Sequence, residues 1–285
     1  MKLHDVLLLV IYLSTMFGCK ESGTVGEEIP SRYYTDSIYS EELGEYRKHE
    51  IYLPEGFDPE VQYPIIYGAD GQMWQADNYF KKALDSLIDN KIILPVILVG
   101  SHSNDKEVPG TSMQTEDGSS FSMQYRFFEY VRTEHGADLH ASLDNIYQRH
   151  MNYFVSELLP QVEGELGQEP GRADRFFYGV SNGAAFGANL IITHPSLIGS
   201  YVLSSTLGAN ISADSFNTQT SYPRLYIQYG DQEGDAFREE AENLRDIYRE
   251  LGAPCELTEY KGGHQETIWR GLFTEQLVQL FGSEN

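Results

Sequence analysis

From Lys48 onward the chain alternates short apolar runs with longer segments whose apolar residues recur at helical spacing, and this alternation most narrows what it can fold into. HEIYLP (49–54), YPIIYGA (63–69), RFFYGV (175–180), GSYVLSS (199–205), RLYIQYG (224–230) and CELTEY (255–260) read as strands. IILPVILVGS (92–101) is a near-continuous apolar run of the kind a strand buried on both faces would carry. Segments 80–89, 152–163, 183–194 and 267–281 read as helices between them. The clearest helix places Phe237, Ala241, Leu244, Tyr248 and Leu251 on one face, fills the other with charge and stops at Gly252. Strands separated by helices predict an α/β fold, with a mostly parallel central sheet and helices on both faces. The strands that precede any helix are expected to form an antiparallel edge.

The chain's 285 residues suffice for one large α/β domain, expected over 45–285, with no second-domain linker visible. Against 20 basic residues stand 43 acidic ones, a net charge of -23. That excess argues against nucleic acid or an anionic membrane surface as the main partner. At the start, Lys2 precedes an apolar run from Val6 to Phe17, too short to span a bilayer with ease but of the length of a signal-peptide core. Gly18-Cys19 closes it and resembles the lipobox of bacterial lipoproteins, which implies cleavage after residue 18 and acylation of Cys19. A polar segment follows, and residues 19–44 are expected to be a tether and N-terminal segment. The resulting expectation is an exported protein anchored by lipid in the bacterial envelope, with a soluble secreted or periplasmic form as the alternative. With Cys19 acylated, Cys255 has no disulfide partner and reads as a buried structural thiol.

One segment breaks the rhythm. Residues 103–124 are polar and rich in Gly, Ser and Thr, and they follow an apolar strand. A loop of that length inside a compact domain is usually functional, and ligand sites in open α/β sheets lie beyond the carboxyl ends of the strands. It is expected to face a substrate, with a simple surface excursion as the alternative.

Gly179-Val180-Ser181-Asn182-Gly183 fits G-x-S-x-G between a strand and a helix. The glycines leave room for a tight turn that thrusts the serine oxygen above the sheet, where the helix N-terminus favours developing negative charge. A serine hydroxyl needs a base, and the base an orienting acid. Of the two histidines beyond Ser181, His194 ends the helix and reads as structural. His264 follows the last strand next to Gly262 and Gly263 and is the expected base. After the strand that ends at Gly230, Asp231, Glu233 and Asp235 compete as the acid.

Several patches together resemble the putative esterase family of α/β-hydrolases, the group of esterase D, enterochelin-esterase-like and feruloyl-esterase-like proteins. They are YPIIYGADGQMW, Arg126, Glu129 and Tyr130 in RFFEY, GVSNG, HPSLIGSYVLSS, YGDQEGD, and GGHQETIW with its Trp269, in that order over residues 45 to 282. The resemblance implies a serine carboxylic-ester hydrolase working through an acyl-enzyme. It places the acid at Glu233, with Asp231 as the alternative, and the oxyanion hole on the backbone N–H groups of Gln72 and Asn182. It departs from the pattern at Gly183-Ala184, where a second glycine is common, and at YGAD, where a bulkier Leu-Leu-Asp is usual. Carbohydrate-linked acyl or feruloyl esters and siderophore esters are the expected substrates. The rivals are a peptidase or acyltransferase with the same triad, and a catalytically silent ligand-binding lipoprotein.

Trp74 and Arg126 are candidate substrate contacts, Arg126 competing between a substrate carboxylate and an ion pair with Glu129. Tyr125, Phe127, Phe128 and Trp269 are aromatic residues near expected loops. His135, His140 and His150 lack metal-ligand spacing and read as surface histidines. No phosphate-binding or dinucleotide fingerprint appears, and neither a cofactor nor a metal is expected.

Overall fold

The computed structural model describes residues 29–74, 76–114, 120–133, 138 and 140–283. An eight-stranded sheet organises them. Its strands are β1 (Arg32–Ser40), β2 (Glu45–Leu53), β3 (Ile65–Gly68), β4 (Ile97–Ser101), β7 (Arg175–Val180), β8 (Ser200–Ser204), β9 (Arg224–Gly230) and β10 (Cys255–Tyr260). They lie in the order β1-β2-β4-β3-β7-β8-β9-β10. The first two pairings are antiparallel and the remaining five parallel, so the antiparallel edge expected ahead of the first helix is present. β1 lies within the 19–44 segment and pairs along its whole length with β2.

Period-two alternation splits the core between the two faces. Ile65, Tyr67, Phe177, Tyr201, Leu203 and Ile227 point to one face. There they meet a long broken helix and two further helices, α5 (Asn182–Thr193) and α6 (Asp235–Glu250). The broken helix comprises α3 (Ile146–Asn152), a π-helical stretch Tyr153–Leu158 and α4 (Leu159–Glu165). Ile66, Leu98, Tyr178, Val202 and Tyr226 point to the other face, against α1 (Tyr79–Asp89) and α7 (Glu266–Phe281). The π stretch lies just before Pro160, whose ring would clash with the carbonyl four residues back and which has no N–H to give; widening the preceding turns relieves both problems.

Two expected elements differ. The apolar run 92–101 is a strand only over Ile97–Ser101. Pro95 interrupts it, and Ile93 instead bridges to Gly282 after α7. Residues 103–124 are not a plain loop. β5 (Glu107–Gln114) and β6 (Ser120–Gln124) form an antiparallel hairpin, irregular between Glu107 and Ser112, that leads directly into α2 (Tyr125–Tyr130). Val108 and Thr111 of β5 are buried, which anchors the described part of so polar a stretch.

Candidate active site

β7 ends at Val180, and the chain turns at Ser181 with φ 56° and ψ −127° before entering α5. For a residue with a side chain this is a strained conformation, of a kind that clusters at functional sites. The flanking glycines permit it: a Cβ on Gly179 would lie 2.5 Å from the carbonyl oxygen of Gly183, and one on Gly183 2.8 Å from Cβ of Ala69. The carbonyl of Ser181 accepts from the N–H groups of Ala184 and Ala185, so the turn is also the first turn of the helix.

The loop after β10 carries His264 back over the sheet. Its Nε2 lies 3.1 Å from Oγ of Ser181 and its Nδ1 2.7 Å from Oε1 of Glu233. The Glu233 side chain is wholly buried, and its second oxygen accepts from the N–H of Gly230 at 2.8 Å. Asp231 is occupied elsewhere. Its carboxylate accepts from the N–H of Gly262 at 2.9 Å and from Nζ of Lys261 at 2.7 Å, and it points away from the imidazole to tie the ends of β9 and β10 together. Those bonds, the Lys261 ammonium first, hold the Asp231 carboxyl below its usual range. Asp235 opens α6 and pairs with Arg238.

The imidazole is also clamped by rings, Phe237 at 4.9 Å and the edge of Trp269 at 4.5 Å between centroids. Trp269 is fixed in turn. Its indole N–H points at both Ser205 Oγ, 2.9 Å, and the Tyr260 hydroxyl, 3.0 Å, which are themselves 2.8 Å apart. The sequence offered no signal for Ser205 or Tyr260, because their partners lie on other strands and loops.

Gln72 falls in the short 3-10 turn Gly71–Trp74 that follows β3, and Asn182 is the first residue of α5. N–H groups at the start of a helix have no partner within it. Among the described residues neither backbone N–H donates to a protein acceptor. The two side chains turn aside. The Gln72 amide meets Ser103, and the Asn182 amide donates to the carbonyl of Leu207.

Arg126 does not pair with Glu129. It grips Asp70, Nε to Oδ1 and Nη2 to Oδ2, both at 2.7 Å, and its Nη1 donates to Oδ1 of Asn182 at 3.2 Å. Burial opposes the guanidinium charge, but the Asp70 carboxylate outweighs it and holds the pKa above the ordinary arginine value. Glu129 is buried instead against Arg47, whose forked guanidinium donates to both of its oxygens. His150 completes that buried cluster, so it is not a surface residue. Its ring is fully enclosed by Tyr130, Tyr153 and Phe186 because α3 packs this face against α2. His140 is half-buried and caps the 3-10 turn Ala141–Leu143, and His194 ends α5 with Nδ1 at 2.9 Å from the Thr193 hydroxyl. Cys255 is half-buried at the start of β10, its thiol pushed up to about 11 by burial. Cys19 and His135 lie outside the described residues.

A cleft of about 370 Å³ opens over Ser181 and His264. Trp74, Phe80, Tyr178, Val180 and Trp269 wall it, Met73 stands at its mouth, and Gln124, Arg126, Glu266 and Arg270 supply polar groups. Trp74 is only 4% exposed and lies across Gly68 and Gly100, so it serves as floor rather than as a mobile contact. Arg270 bridges Asp77 and Glu266 along one rim. Tyr125 and Phe128 face away from the cleft; Phe127 lines an adjoining groove beyond Arg126.

Residues 40–280 match the family model described as Putative esterase. This chain belongs to that family. The esterase, a carboxylic-ester hydrolase by that membership, is also 21% identical to the uncharacterized protein YjcH of Bacillus subtilis (strain 168), over 91% of this chain and 98% of that one. Among solved structures it resembles a ferulic acid esterase from Anaeromyces mucronatus in complex with ferulic acid, with a TM-score of 0.64, 16% identity, and coverage of 91% and 92% of the two chains. It also resembles the enterobactin esterase from Shigella flexneri, with a TM-score of 0.64, 17% identity, and coverage of 88% of this chain and 59% of that one. At such identities the likeness concerns the α/β-hydrolase fold, and the chemistry of the esterase must be argued from its own residues.

Proposed function

We propose that the esterase cleaves its substrate through a covalent acyl-serine at Ser181, with His264 as general base and Glu233 as the acid that orients it. The observation that carries this reading is the unbroken contact from Ser181 Oγ through His264 to the buried Glu233 carboxylate. Nε2 of His264 takes the hydroxyl proton as Oγ bonds to the ester carbonyl carbon, whose oxygen becomes an oxyanion. Glu233 keeps the N–H on Nδ1 and stabilises the imidazolium. The backbone N–H groups of Gln72 and Asn182 are the proposed oxyanion donors, since neither has an acceptor among the described residues and each lies in the first turn of its helix. Collapse breaks the bond to the alcohol oxygen, which leaves with the proton from His264. Water then attacks the acyl carbon by the same sequence, and Ser181 is regenerated.

The aromatic cleft walls support an ester with a flat or aromatic component, such as a carbohydrate-linked feruloyl ester or a catecholate siderophore ester. One solved structure is of a ferulic acid esterase in complex with ferulic acid and another is of an enterobactin esterase, which fits those two classes. Fluorophosphonate labelling followed by peptide mapping tests the nucleophile. The expected result is one adduct on Ser181, lost in Ser181→Ala and strongly reduced in His264→Ala; labelling at another site, or labelling indifferent to His264, overturns the reading. Hydroxycinnamate methyl esters, sugar-linked feruloyl esters and a trilactone siderophore, compared by kcat/KM, then rank the substrate classes. We also propose export with a lipid anchor on Cys19, on the strength of the apolar run ending in Gly18-Cys19. Palmitate incorporation that disappears in Cys19→Ala is the expected outcome.

A further inference from the structure

Two backbone N–H groups from different elements can bind one oxyanion only if their separation is fixed to within about 0.5 Å. Here one donor stands on the turn after β3 and the other on the first turn of α5, after β7. β3 and β7 are neighbours in the sheet, but the turns beyond them leave the ladder, and the last backbone bond joining them is Ala69 N–H to the carbonyl of Tyr178. Something further along must hold the gap.

A chain of side-chain hydrogen bonds spans it. The Gln72 amide donates to Ser103 Oγ at 2.6 Å and accepts from the Ser103 N–H at 3.1 Å. Ser103 Oγ donates to Asp70 Oδ1 at 2.9 Å. The Asp70 carboxylate takes both arms of Arg126, and the remaining nitrogen of Arg126 donates to Asn182 Oδ1. The path thus begins on one proposed oxyanion residue and ends on the other. Its inner members are well packed, Asp70 being 6% and Ser103 7% exposed. The Asp70 carboxylate also lies against α5, since a Cβ on Gly183 would come within 3.3 Å of Oδ2. Asp70 adopts a positive φ of 62°, a conformation that costs an aspartate less than most residues but still needs support.

From this geometry we infer that Arg126 and Asp70 are positioning residues: their ion pair, with Ser103 and the Gln72 and Asn182 side chains, braces the two halves of the oxyanion hole against each other. The inference rests on the proposed acyl-serine reading and gives a role to side chains which that reading leaves idle. It also reassigns Arg126. Three of its five N–H groups are committed, its charge is met by a bidentate carboxylate, and it forms the wall between the catalytic cleft and the groove beyond it rather than a free cationic hook.

A brace and a substrate-binding arginine differ in kinetics. Loss of transition-state positioning lowers kcat with KM little changed, whereas loss of uniform binding raises KM with kcat kept. Arg126→Lys retains the charge but cannot reach Asp70 and Asn182 together. Gln72→Ala retains the backbone N–H and removes only its anchor. For either, kcat is expected to fall about 10²-fold, the cost of misplacing a catalytic group by roughly 1 Å. Affinity for a trifluoromethyl ketone, which forms a tetrahedral oxyanion on the serine, should fall in step, while affinity for the matching methyl ketone should not. The double variant is expected to be no worse than the worse single one, because both cut the same path. A raised KM with kcat intact would make Arg126 a substrate contact and overturn the brace, as would wild-type kcat in Gln72→Ala. If Arg126→Lys fails to fold, Gln72→Ala and Ser103→Ala decide alone. A wild-type enzyme that takes no fluorophosphonate on Ser181 would remove the acyl-serine reading and the brace with it; wild-type labelling with unimpaired variants removes only the brace.

Discussion

At the scale of single residues, burial separates the two acids that compete for His264. Glu233 is enclosed, with one oxygen on the imidazole and the other on the N–H of Gly230, while Asp231 spends both oxygens on the end of β10. Glu233→Gln keeps the shape but presents an amide N–H to Nδ1, which favours the tautomer with its proton on Nε2, where the serine proton must go. We expect kcat to fall by about 10⁴, as for a triad acid replaced by its amide. Asp231→Asn should leave kcat close to wild type. Steady-state kinetics of the two variants check this, and the reverse ranking would transfer the role to Asp231. The meeting of Ser181 with His264 was legible in the sequence because each stands where a strand ends and glycines allow a turn. The carboxylate that meets His264 was not legible from composition, since three carboxylates fall within five residues and only the fold decides which one turns inward. The partner of Arg126 was hidden for a different reason: Asp70 lies 56 residues away, whereas Glu129 is a local neighbour.

At the scale of elements, the apolar pattern was a good guide wherever apolar residues are frequent along a segment, and it failed where they are sparse. β7, β9 and β10 coincide with their apolar runs. β1 escaped notice because an edge strand covered on one side alternates weakly, and only Ile38 and Ser40 along it are buried. The hairpin β5–β6 escaped because its polar composition matches that of a loop. β1 nevertheless pairs with β2 over nine residues. A chain beginning at Arg32 should therefore be more stable than one beginning at Glu41. The expected difference is at least the roughly 1.5–3 kcal/mol of burying one large aliphatic side chain such as Ile38. Urea unfolding of the two truncations measures it. Coincident midpoints would mean that the sheet does not need its outer strand.

At the scale of the whole molecule, the esterase carries a net charge of -23 yet encloses histidines whose burial favours the neutral form. His150 is fully buried, and burial pulls its pKa down to about 4, with the Arg47 guanidinium adding to the shift and Glu129 opposing it. His49, also enclosed, is shifted the same way by burial. Unfolded, both would titrate near the ordinary histidine value of about 6.5. Between that value and the lower folded one the unfolded chain binds protons that the folded chain refuses, so stability falls as the pH drops from about 6.5 towards 4. Each such histidine contributes a slope of up to about 1.4 kcal/mol per pH unit. Acidification also discharges carboxylates and relaxes their mutual repulsion, which acts with the opposite sign. Most of that discharge lies below about pH 5, however, near the ordinary carboxylate values, and at about 0.15 M salt the repulsion is screened beyond roughly 8 Å. The histidine effect should therefore dominate the upper part of the range. Urea midpoints measured from about pH 7 down to about pH 5, at fixed salt, should decline in the wild type and decline less steeply in His150→Phe, which fills the same aromatic nest without a titrating group. The slope is the quantity to compare, because the added ring volume changes absolute stability at every pH alike. Parallel slopes in the two proteins would mean that His150 is not the proton trap its burial implies.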